Sequence, residues 1–169
     1  MSYRDPSYVI FDGDNDRWAY SYMRGWKQNE RVDFDFNDAH DLDNMTARAQ
    51  GEEYVKRHLR ERMRKSKSVI VLIGNSTKNL YTFVRWELEL ARELNLPIIA
   101  VNLNGLRQQD NSLVPPIIRD KTVVNVSFKM KIIRHALDNW PDEYRRLVNN
   151  GDGARYYADS VYQDLGITD

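Results

Sequence analysis

The spacing of apolar positions changes along the chain, and each change predicts an element. Tyr8–Phe11 is a short run of β-formers closed by the turn residues Asp12-Gly13-Asp14-Asn15-Asp16, which predicts a buried strand running into a loop. Asp14 to Asp16 offer caps for a helix reaching about Gln28, with Trp18, Tyr22 and Trp26 recurring every four residues as its core stripe. Val32–Phe36 alternates apolar and acidic in the manner of an edge strand, and 37–44 is a polar loop. A basic helix is expected over about Thr46–Lys65, with Val55, Leu59 and Met63 on one narrow face.

Val69–Ile73 is continuously apolar and closes on Gly74-Asn75-Ser76, which suits a central parallel strand buried on both faces. A helix over about Thr82–Leu94, a buried strand over Pro97–Leu103, an interruption at Val114-Pro115-Pro116 and a strand over Thr122–Phe128 follow. Strand and helix thus alternate over residues 7–128. This predicts one α/β domain: an open parallel sheet of about five strands with right-handed crossovers and helices on both faces, in three layers. Residues 129–169 read differently, as helices over Lys129–Trp140, Pro141–Asn149 and Ala154–Leu165, with Pro141 opening the second and Asn150-Gly151-Asp152-Gly153 as a hinge. They form a helical C-terminal extension packed on or beside the domain.

Composition narrows the function classes. Lys plus Arg equals Asp plus Glu at 25 each, so no overall field favours nucleic acid or a membrane surface. There are no cysteines, which excludes disulfides, thiolate metal sites and cysteine nucleophiles and suits a reducing compartment. Met1-Ser2-Tyr3-Arg4-Asp5-Pro6 lacks a signal-peptide core, and no apolar run is long enough to span a bilayer, so a cytoplasmic location is expected. His40, His58 and His135 lack metal-ligand spacing, so no metal is expected.

In open parallel sheets ligands bind beyond the carboxyl ends of the strands. Three loops end strands expected to be neighbours: Asp12–Asp16, Asn37–Asp43 and Gly74–Lys78. Asx residues often only shape turns and cap helices, which is the reading favoured for Asn15, Asp16 and Asn44. Asp12 and Asp14 are different, because like charges crowded at a strand end cost stability unless something uses them. On the helix after the central strand, Phe83, Val84, Trp86, Leu90, Ala91 and Leu94 share a broad arc at 3.6 residues per turn, opposite Arg85, Glu89, Arg92 and Glu93. Glu87 falls in the middle of the apolar arc, where a charge is costly unless paired or employed. It is expected near the ligand edge; an internal Arg17 or Arg24 would be its structural partner. The cluster Lys56, Arg57, Arg60, Arg62, Arg64, Lys65 and Lys67 reads mainly as a solvated face.

Val9-Ile10-Phe11-Asp12-Gly13-Asp14 resembles the nucleophile strand of haloacid-dehalogenase-like phosphatases, but the later acidic pair does not follow a strand. A phospho-receiver would need an Asp ending the central strand, where this chain has Gly74-Asn75-Ser76. By contrast, Phe11-Asp12-Gly13-Asp14-Asn15-Asp16-Arg17, Phe34-Asp35-Phe36-Asn37-Asp38 and Val84-Arg85-Trp86-Glu87 together resemble the bacterial TIR-like family that includes the TIR subunit of Thoeris anti-phage systems. Ile10 and Gly13 replace a small residue and an aromatic of that pattern, and Phe83 stands nearest to an expected Trp.

The resemblance implies a flavodoxin-like fold and an enzyme that cleaves the nicotinamide–ribose bond of NAD, its substrate rather than a bound cofactor, and releases an ADP-ribose-derived, often cyclic, signal. It puts the catalytic glutamate on Glu87. Asp12, Asp14, Asn37, Asp38 and Ser76 would line the substrate cleft, with Trp86 packed beside the glutamate. It further implies self-association and an effector partner reached through the nucleotide signal. A TIR-like interaction module without turnover, or a nucleotide sensor, is the competing expectation.

Overall fold

The computed structural model describes residues 5–28, 51–80 and 83–168. Among the described residues five parallel strands form one sheet: β1 (Ser7–Ile10), β2 (Ser68–Ile73), β3 (Ile98–Asn102), β4 (Val124–Ser127) and β5 (Arg155–Tyr156), in that order across it. The helices are α1 (Arg17–Gln28), α2 (Glu52–Arg64), α3 (Phe83–Glu93), α4 (Met130–Leu147) and the short α5 (Asp159–Asp164). The expected strand Val32–Phe36 and the loop after it, with Asn37 and Asp38, lie outside the described residues.

Because side chains alternate across a strand, each strand feeds two cores. Val9, Ile70, Leu72, Ile99, Val101, Val124 and Val126 meet α1, α4 and Tyr162 of α5 on one face. Tyr8, Ile10, Val69, Val71, Ile73, Ile98 and Ala100 meet α2 and α3 on the other. All six residues of β2 are buried, which is why the central strand reads as unbroken apolar sequence. The architecture is the expected three-layer, flavodoxin-like α/β fold.

Four local expectations need correction. In α1 the buried positions are Ala19, Tyr20 and Met23, whereas Trp18 and Tyr22 are 49% and 60% exposed and only Trp26 is partly covered. The small Ala19 lets the helix approach the sheet, and Tyr20 stacks on Phe11 with ring centroids 4.6 Å apart. The bulky aromatics are thereby turned to the rim.

Pro141 does not start a helix; it is buried inside the 18-residue α4. Its missing N–H leaves the Leu137 carbonyl without the usual i→i−4 donor. Packing of Ile133, Ala136, Leu137 and Trp140 on the sheet holds the helix together across that gap. The segment 154–165 is helical only over α5; before it, Arg155 and Tyr156 pair with Val124 and Asn125 of β4. The stretch read as a hinge is tied to β4's approach: Asp152 accepts hydrogen bonds from Thr122 Oγ1 (3.2 Å) and Lys121 Nζ (3.4 Å).

Candidate functional site

Asx side chains tie together the loops that leave β1 and β2 at their carboxyl ends, and another folds the loop after β3. Asp12, buried at the mouth of β1, accepts the backbone N–H groups of Asp14 (3.0 Å) and Asn15 (3.2 Å) on Oδ1 and the Asn15 amide (2.8 Å) on Oδ2. Burial would push its carboxyl up. The bonds from the Asn15 side chain, the two backbone amides and Ser76 outweigh that and hold it below the ordinary aspartate value. The same Asn15 amide reaches Ser76 Oγ (3.2 Å) on the loop after β2. Ser76 thus lies at the strand edge where expected, joined to the first loop, and Asp14 projects to solvent.

The second loop turns on Gly74 and Thr77. Gly74 N–H donates to Thr77 Oγ1 (2.9 Å), and that hydroxyl faces two acceptors, the Leu72 carbonyl (3.3 Å) and Asp16 Oδ2 (3.4 Å). A Cβ at position 74 would run into the Asp16 carboxylate, so only glycine lets the two loops close this tightly. The third loop is folded by Asn102, whose amide donates to the carbonyls of Leu106 (3.1 Å) and Gln108 (3.0 Å). Between the three loops lies a cleft of ≈ 450 Å³ whose lining includes Asp16, Trp18, Gly74, Ser76, Leu103 and Leu113.

Glu87 occupies a different level. It is 2% exposed, on the buried face of α3 with Val84, Leu88, Leu90 and Ala91, as the helical periodicity requires. Its Oε2 accepts the phenolic O–H of Tyr8 at 2.6 Å. Tyr8 precedes Asp12 by four residues along β1, about 13 Å at strand rise. The Glu87 carboxylate therefore lies in the layer between α3 and the sheet rather than on the wall of the cleft. One partner of this carboxylate is thus a strand tyrosine. Trp86 is half-buried at the α2–α3 seam, with Lys56 Nζ 4.8 Å above its ring and Phe83 at 5.4 Å.

Two contributors were not singled out from sequence. Tyr8 reads as one more strand residue, although a phenol among aliphatics carries a polar tip that must find a partner when buried. Asp16 reads as a cap, yet its backbone carbonyl, not its carboxylate, accepts the Ala19 (3.0 Å) and Tyr20 (3.4 Å) amides.

Among the described residues no helix is long and apolar enough to cross a membrane. Residues 7–108, more than half of the chain, match the family model described as Thoeris protein ThsB, TIR-like domain. The match runs from β1 into the loop after β3 and so contains the acidic loop, the Gly74 turn and Glu87. The chain belongs to the TIR-like domain family of the Thoeris protein ThsB, a family of anti-phage defence.

Proposed function

We propose that this protein cleaves NAD, releasing nicotinamide and an ADP-ribose-derived, possibly cyclic nucleotide that signals to an effector partner in defence, with Glu87 as the catalytic carboxylate. The observation that supports this most is Glu87 itself. A carboxylate stands buried on the apolar face of α3, hydrogen-bonded by Tyr8, in a chain of the ThsB family.

The chemistry suits such a group. The bond from ribosyl C1′ to the pyridinium nitrogen breaks, and its electron pair leaves with nicotinamide, which becomes neutral. Positive charge develops on C1′ and the ring oxygen, and a preorganised carboxylate in a dry site stabilises it. Water then attacks C1′ and gives up a proton to form ADP-ribose, or a nitrogen of the adenine attacks to give a cyclic product if water is excluded. Asp12, Asp14, Asn37, Asp38 and Ser76 would form the polar wall that orients the substrate, and Trp86 would back the glutamate. At 2% exposure Glu87 must be uncovered before it meets a substrate. Activity is therefore expected to depend on self-association or substrate-driven opening.

Incubation with NAD and chromatography of the products tests this. Glu87→Gln is expected to lower nicotinamide release by about 100-fold or more, the scale for removing a group that stabilises transition-state charge. Continued absence of nicotinamide release by the intact chain at high protein concentration would overturn the reading. The same Tyr8–Glu87 bond, together with the exposed Trp18 and Tyr22, also supports a module that associates without turnover. That alternative predicts self-association unchanged by Glu87→Gln and no NAD consumption.

A further inference from the structure

Asp16 is a buried carboxylate that its own helix does not use. It is 6% exposed and lines the cleft. Among the described residues its carboxylate accepts one hydrogen bond, the 3.4 Å contact from Thr77, and that hydroxyl's single proton is shared with the Leu72 carbonyl. Asp12, four residues earlier, is supplied with three N–H donors. Burial first, then the Asp12 charge, push the Asp16 carboxyl above its ordinary value, against the weaker pull of Thr77. Gly74 keeps the space behind the carboxylate clear. Ahead of it the cleft opens between the apolar side chains of Leu103 and Leu113 and the indole of Trp18, which is half exposed although flanked by Tyr22 and Phe128.

A carboxylate held this way costs stability unless a ligand brings the missing donors. A vicinal diol supplies two adjacent neutral donors that satisfy both oxygens at once, and an exposed aromatic wall beside them suits a planar base. We propose that the Asp16 carboxylate anchors the ribose diol of a nucleoside whose base lies against Trp18. The cleft volume falls in the range of small-ligand sites. The choice of nucleoside rests on the NAD reading: the adenosine half is the part that stays joined to the product, and its site is then separate from the Glu87 layer.

The test uses the full chain carrying Glu87→Gln, with calorimetric titration of adenosine 5′-monophosphate and of its 2′,3′-dideoxy analogue, with and without Asp16→Asn. The natural nucleotide is expected to bind more tightly than the analogue, and Asp16→Asn is expected to weaken it by about tenfold or more while leaving the analogue unchanged. In the same variant the melting temperature is expected to rise, because an uncompensated buried charge has been removed. A carboxylate with a purely structural role predicts the opposite sign. No binding of the nucleotide at millimolar concentration, equal binding of both probes, or indifference to Asp16→Asn overturns the proposal. If wild-type protein releases no nicotinamide but binds the nucleotide through Asp16, the cleavage reading fails and the cleft stands. If NAD is cleaved while Asp16→Asn leaves nucleotide affinity intact, the reverse holds.

Discussion

Asp12 and Asp16 share a loop and a charge, yet their surroundings give them opposite thermodynamic signs. The donors around Asp12 hold its carboxyl below the ordinary value in the folded chain, so the stability it contributes is present above the unfolded carboxylate range and is lost as pH falls through its folded value. Asp12→Asn is expected to cost about 1–2 kcal/mol at neutral pH in denaturant titrations, and to flatten the acid limb of stability against pH. Asp16 is held above its ordinary value, so its contribution is greatest at low pH and is lost as pH rises through its folded value. Asp16→Asn should therefore remove a loss of stability seen between acid and neutral pH. Gly74 links the two. Gly74→Ala places a methyl group where the Asp16 carboxylate sits, with an expected cost of about 1–3 kcal/mol from overpacking, read as a lower denaturation midpoint at unchanged slope.

At the scale of elements, legibility followed the strength of the period. The runs Val69–Ile73 and Pro97–Leu103 announce strands β2 and β3 because both faces of a central parallel strand are apolar, and nothing else competes for such sequence. Glu87 could be placed on the buried face of α3 because one charge among apolar neighbours breaks a clear helical stripe. The stripe of α1 differs from its aromatic spacing because aromatic residues serve core and rim alike, and the small Ala19, not the large Trp18, lies on the side that approaches the sheet. Pro141 lies within α4 rather than at a helix start because local propensity is outweighed by the apolar face that α4 presents on both sides of it. The role of Asp16 was out of reach: a helix-capping position says where the backbone carbonyl points, not which neighbouring loop will receive the carboxylate. Likewise the Tyr8–Glu87 bond joins residues 79 positions apart, and no local pattern encodes such a contact.

For the whole molecule, the last forty or so residues are part of one core rather than an appendage. Ile132, Ile133, Ala136, Leu137 and Trp140 of α4 and Tyr162 of α5 sit in the same apolar cluster as Val9, Ile70 and Ile99 of the sheet. Trp140→Ala is expected to destabilise the entire fold by about 3–5 kcal/mol, as a single cooperative transition seen by circular dichroism and by fluorescence alike. The family match ends at residue 108, so this cluster draws on sequence from outside the matched segment as well as from within it.

The two-residue β5 has a consequence for any higher-order form of this protein. By pairing in parallel with β4, it occupies the hydrogen-bonding groups of that flank for residues 124 and 125 with the chain's own terminal segment. A second copy cannot be templated there strand upon strand without first displacing it. What remains on that margin is an edge strand of two residues, too short to template extended strand-on-strand growth.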